Sequence, residues 1–123
     1  MQALGRHLLC EYHGCDRELL NRPDTIRSEL VAAVTLAGAT PLHEVVHAFS
    51  PHGVTGVVVI AESHFAIHTW PEHGFAAVDL FTCGDSVDPY KAFEHLRSAL
   101  HAESHSVVEI RRGLFPGDVK HKP

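Results

Sequence analysis

No apolar stretch of the chain is longer than the β-branched-rich run Val57 to Ala61, inside VTGVVVIAES. Val and Ile pack well on a pleated surface, so this run predicts a central strand buried on both faces. HFAIHTW, stopped by Pro71, predicts a short strand after it. The HG of PEHGF turns the chain, and FAAVDLFT returns as another strand. Ahead of the central run, PLHEVVHAF lies between Pro41 and the breakers Pro51 and Gly53, and it too reads as extended. ALGRHLLCEY, residues 3–12, fits a strand entering the core, with a helix as the alternative, and SHSVVEIRRG supplies a last strand. The period changes to helical in two places. Ile26, Leu30, Ala33, Val34 and Ala37 form one apolar stripe, with Asp24 as the expected N-cap and Gly38 as the stop. Phe93, Leu96, Ala99 and Leu100 form the other, with Asp88 as cap and Pro89 at the first helical position. HGCDRE, between the first strand and the first helix, is expected to be a turn.

The resulting order is β-α-β-β-β-β-α-β. Short turns between the middle strands force antiparallel pairing. The expected fold class is therefore α+β: a two-layer sandwich, an antiparallel sheet with two helices on one face. Val57 and Val59 point to one side of the sheet, Val58 and Ile60 to the other. Both faces are thus apolar, and two helices cannot cover both. A second copy is expected on the bare face, dimerising to a larger αββα sandwich.

Composition narrows the class. A length of 123 residues suits a single domain, residues 1–123. The formal charge of −5 offers no basic face, so no nucleic acid is expected as a partner. Three cysteines without a C-x-x-C pattern point to reduced thiols and a cytoplasmic protein. No apolar run is long enough to span a membrane, and the N-terminal one is too short for a signal peptide. The polar C-terminal stretch PGDVKHKP is expected to fray.

Twelve histidines invite a metal. His43/His47, His64/His68 and His101/His105 are each spaced i, i+4, which suits two ligands on a helix. The first two pairs fall in predicted strands, where the side chains would sit roughly 13 Å apart, at about 3.3 Å per residue. The third spans a helix end and a loop. No metal is therefore expected. Ser63 is not within G-x-S-x-G, so the nucleophile elbow of a serine hydrolase is absent. By themselves these residues leave two classes open, an enzyme that makes its own electrophile and a small His-rich binding module without catalysis.

Longer motifs separate them. GRHLL, FSPHGVTGVVVIAESHFAIHTWPEHGFAAVDLFTCGDSVDP and the KAFEHL helix together resemble the prokaryotic S-adenosylmethionine decarboxylase proenzymes over most of the chain. ESH, IHTWPE and DLFTCG at these mutual spacings carry the resemblance. It implies self-cleavage between Glu62 and Ser63 into residues 1–62 and 63–123. Ser63 would become a pyruvoyl group that forms a Schiff base with substrate, without pyridoxal phosphate. His68 is implied as the base in processing and Cys83 as the proton donor after decarboxylation. Thr55 stands where the family has a hydroxyl that aids processing; its β-branched side chain has fewer rotamers, which bears on the rate. Phe49 matches an aromatic stacking near adenine and sulfonium, and Glu72 a carboxylate on the ribose hydroxyls. Trp70 is core or pocket wall. Ala48, Ser50 and His52 depart from residues common in the family and bear on the pocket mouth. The implied substrate is S-adenosylmethionine, decarboxylated to the aminopropyl donor for spermidine synthesis. Another amino acid, ornithine or arginine, is the alternative on the same scaffold.

Ser63 and His68 are separated by an odd number of positions. On one regular strand they would face opposite ways, roughly 16 Å apart at about 3.3 Å per residue. Either a bulge breaks the strand, or His68 serves the Ser63 of another protomer. The resemblance implies a homodimer with sites at the interface. The expected division puts Ser63 and Cys83 on one chain, and Phe49, Thr55, His68 and Glu72 on the other.

Overall fold

The computed structural model describes residues 2–117. In chain order it contains β1 (Gln2–His13), α1 (Arg17–Leu20), α2 (Pro23–Leu36), β2 (Pro41–Ala48), β3 (Val54–Ile60), β4 (Ser63–Trp70), a 3₁₀ turn at Pro71–His73, β5 (Phe75–Cys83), α3 (Pro89–Ala99) and β6 (Ser104–Phe115). All six strands join one antiparallel sheet in the order β2-β3-β4-β5-β1-β6. The sequence-based order of strands and long helices holds, and residues 3–12 take the strand form. β3 is an interior strand, but the middle of the sheet is β4 and β5. From residue 118 the C-terminal stretch expected to fray lies outside the described residues.

Alternation along the strands decides which face is covered. Leu8, Cys10 and Tyr12 of β1, Phe65 and Ile67 of β4, and Val78 and Leu80 of β5 point to one side and are buried. Ile26, Leu30 and Val34 of α2 and Phe93 and Leu96 of α3 complete this core. Each large aliphatic or aromatic side chain so buried contributes about 1.5–3 kcal/mol. The Tyr12 hydroxyl keeps its hydrogen bond inside the core by donating to the Phe93 carbonyl at 2.8 Å.

The helices correct three expectations. There are three α-helices among the described residues, not two. HGCDRE does not simply turn: Asp16 accepts from the Leu19 amide at 3.1 Å and caps the short α1. Asp24 is not the N-cap of α2. Pro23 takes the first helical turn, and the cap position falls to Arg22, which makes no side-chain cap bond. Proline favours an extended residue before it, as at Arg22 (φ −107°, ψ 102°). Asp24 instead sits in the first turn, where its charge faces the positive end of the helix dipole. Asp88 does cap α3, accepting from the Tyr90 amide at 3.0 Å, and Gly38 ends α2 at φ +83°.

Among the described residues no helix covers the opposite sheet face. Val45 and Val108 are each 55% exposed there, and Val57, Val59 and Ile110 share that side. His105 is in β6, not a loop, and its ring lies 5.1 Å from Phe93.

Candidate active site

One group of residues gathers where β3 and β4 meet the 49–53 loop and the 3₁₀ turn. The register pairs Thr55 of β3 with His68 of β4, and both face away from the helices. Thr55 Oγ1 lies 3.0 Å from His68 Nδ1. With the imidazole proton on Nε2, the hydroxyl donates to Nδ1 and fixes the ring. The Gly53 amide donates to Asn21 Oδ1 at 2.9 Å, and the Phe49 amide donates to the Gly53 carbonyl at 2.8 Å. Gly53 needs its φ of +106° to make that turn. Helix α1 thereby positions the loop that carries Phe49 and His52.

These elements enclose a cavity of about 480 Å³ lined by Phe49, His52, Thr55, His68, Trp70 and Glu72, among others. Trp70 is a pocket wall, not core. His52 Nε2 and Glu72 Oε2 are 3.1 Å apart. The Glu72 carboxyl is held below the ordinary carboxylate range chiefly by its own backbone amide, against the opposing effect of burial and with lesser help from the His52 imidazole. Two exposed aromatic faces and an anionic carboxylate suit a ligand with a cationic centre and hydroxyl groups.

A second group lies at the other end of β4. Ser63 opens the strand with φ +146°, an angle that disfavours a residue bearing a side chain. The Cys83 amide donates to the Glu62 carbonyl at 2.7 Å, and Glu62 Oε1 accepts from the Thr40 amide at 3.1 Å. The Glu62–Ser63 peptide is thus polarised at its carbonyl, and the Glu62 side chain is anchored beside it. Cys83 is 8% exposed. Burial, then Asp79, pushes the Cys10 thiol up to about 12, and burial pushes Cys15 up to about 11, so neither is a ready nucleophile.

Within one chain the two groups stay apart. From Ser63 to His68 the pairing with β3 and with β5 runs without a shift. The bulge alternative therefore fails, and the regular strand keeps the two side chains roughly 16 Å apart at about 3.3 Å per residue. Phe49, Thr55, His68 and Glu72 come together; Glu62, Ser63 and Cys83 come together elsewhere. Sequence reasoning missed Asn21, His52 as a partner of Glu72, and Thr82 opposite Ser63. Thr82 had a legible signal, a hydroxyl in the apolar column Ala76, Val78, Leu80; Asn21 had none. Among the described residues no group of His, Cys, Asp and Glu is placed to hold a metal ion. No helix among them is long and apolar enough to cross a membrane.

A single antiparallel sheet, covered by helices on one side and carrying a hydroxyl–imidazole pair beside an aromatic pocket, defines a two-layer α+β protein with a candidate ligand site. Residues 6–113 match the family model for S-adenosylmethionine decarboxylase. The chain is 53% identical over 127 residues to the S-adenosylmethionine decarboxylase proenzyme of Thermotoga maritima, covering 99% of this chain and 98% of that one. It is 50% identical over 120 residues to the proenzyme of the same description from Caldicellulosiruptor saccharolyticus, covering 98% and 97%. A crystal structure of the adenosylmethionine decarboxylase from Aquifex aeolicus superposes with a TM-score of 0.89 at 38% identity, covering 98% of this chain and 99% of that one. The chain belongs to the S-adenosylmethionine decarboxylase family.

Proposed function

We propose that this chain decarboxylates S-adenosylmethionine after cutting itself between Glu62 and Ser63, leaving residues 1–62 and 63–123. The observation that carries the proposal is the state of that peptide bond. Its carbonyl accepts a 2.7 Å bond from the Cys83 amide, and Ser63 is held at φ +146°. Both favour attack by Ser63 Oγ on the Glu62 carbonyl carbon, because charge developing on the oxygen already has a donor and the strained residue is released. Ser63 is the precursor of a pyruvoyl group, which when present supplies the electron sink for loss of carbon dioxide. Cys83, adjoining that position, serves as proton donor to the carbon left behind. His68, oriented by Thr55, serves as the base in processing. Phe49 takes the adenine and sulfonium end of the substrate and Glu72 the ribose hydroxyls. The product is the aminopropyl donor used to make spermidine.

The separation along β4 supports a shared site. A second copy on the bare face would bring the His68 group of one protomer to the Ser63 group of its partner, and would cover the exposed Val45, Val57, Val59, Val108 and Ile110. The intact mass of purified protein tests processing: two fragments are expected, the larger-numbered one beginning with a blocked keto-acyl group. A single chain with an ordinary serine at 63 would overturn the proposal. Release of carbon dioxide from S-adenosylmethionine, with none from ornithine or arginine, tests the substrate.

A further inference from the structure

Two polar side chains are buried among the described residues, Thr69 and Thr82, and they are treated oppositely. Thr69 Oγ1 accepts from the Val54 amide at 2.9 Å and donates to the Leu20 carbonyl at 2.8 Å. Thr82 Oγ1 is buried with no hydrogen-bond partner, in a residue 1% exposed. A buried hydroxyl in that state is destabilising, whereas a valine of the same shape would not be. Its column on β5 is otherwise Ala76, Val78 and Leu80, so packing alone asks for valine.

What lies across the ladder gives the hydroxyl a use. The register pairs Thr82 with Ser63. The bond from the Cys83 amide to the Glu62 carbonyl flanks that pair. Such a pair belongs to the non-hydrogen-bonded class, in which facing residues come closest, with Cα atoms about 4.5 Å apart. Thr82 therefore stands beside the Glu62–Ser63 peptide, immediately ahead of the amide that holds its carbonyl.

We infer that Thr82 Oγ1 is a second donor to the Glu62 carbonyl oxygen as that oxygen becomes an oxyanion during self-cleavage; this rests on the processing proposed above. Ser63 Oγ bonds to the Glu62 carbonyl carbon, and the carbonyl electron pair moves onto oxygen. Collapse of that pair breaks the bond from carbon to the Ser63 nitrogen, which departs as an amine carrying the proton lost by Oγ; the pieces are then joined by an ester, and loss of the Ser63 Cα proton to a base expels the Glu62 carboxylate from Cβ and separates them. The planar carbonyl takes the Cys83 amide alone. The pyramidal oxyanion has a further lone pair directed off the carbonyl plane, and the free hydroxyl rotor can reach it. A donor idle in the resting chain and engaged only at the barrier lowers that barrier by its full strength.

The experiment compares Thr82→Val and Thr82→Ser with the parent chain, following fragment appearance by mass spectrometry after a burst of synthesis. Thermal melting is measured with each change in the uncuttable Ser63→Ala chain. Thr82→Val is expected to cut roughly a hundredfold more slowly, as for loss of one oxyanion donor. Thr82→Ser is expected to stay near the parent rate, and Thr82→Val with Ser63→Ala to melt no lower than Ser63→Ala alone. Parent-rate cutting by Thr82→Val, equal slowing by both variants, or slowing matched by a lower melting temperature would each overturn the inference. If the parent cuts while Thr82 proves indifferent, only this inference falls; if the parent never cuts, the processing proposal falls with it.

Discussion

At its Trp70 end, β4 presents a settled arrangement. His68 has Thr55 at 3.0 Å, Glu72 has His52 at 3.1 Å, and an open cavity of about 480 Å³ lies in front of them. At its Ser63 end the same strand begins at φ +146°, faces a hydroxyl without a partner, and adjoins a carbonyl gripped at 2.7 Å. Backbone strain of this kind costs of order 1–3 kcal/mol and persists only where the surroundings impose it. On the reading proposed above, the difference separates paired groups that attend a reaction from the bond that undergoes it. The first kind is kept satisfied; the second is kept poised.

Breaking the poised end should have the largest effect. Ser63→Ala removes the attacking hydroxyl, and no fragments should form at any time, as read by intact mass. Next comes the division between the ends. Cys83→Ala and His68→Ala chains should each be nearly inactive alone. Co-expressed, they should recover activity in about a quarter of the sites, because half of randomly mixed dimers would carry one complete site each. No recovery at all would argue that the two ends never meet across protomers. Thr55→Val leaves the shape of the settled end but frees the imidazole, and should slow processing about tenfold. Glu72→Gln should raise KM for S-adenosylmethionine by about tenfold and leave kcat almost unchanged. Because Glu72 is held below the ordinary value, its ionised form persists as the pH drops past the usual carboxylate range. The stabilisation tied to that lowered value is present above the unfolded-state pKa and is lost only as pH falls through the folded one. KM should therefore stay flat through the ordinary glutamate range and rise only at lower pH. The smallest effect concerns the thiols: Cys10 and Cys15, pushed up to about 12 and about 11, should resist alkylation in the native protein at pH 8.

Much of the fold was legible because its signals are local. The period-two columns marked the strands, and the Asp88–Pro89 pair marked the start of α3. Asp24 misled because an N-cap and a first-turn acid look alike in sequence, and Pro23 decided between them. Helix α1 was hidden because four residues carry no apolar period, yet it supplies both Asn21 and the Leu20 carbonyl that satisfies Thr69. The odd spacing of Ser63 and His68 did foretell that they lie apart, since a regular strand fixes both face and distance. The grip of the Cys83 amide on Glu62 could not be read in advance. It depends on the register between two strands, which no single segment specifies.

The strand order has one more outcome. Residues 1–62 supply β1, β2 and β3, while the rest of the chain supplies β4, β5 and β6. In the sheet, β1 lies between β5 and β6, and β3 lies against β4. The two pieces are laced like the fingers of clasped hands, so severing the link at the β3–β4 hairpin frees a new chain end without letting either hand go.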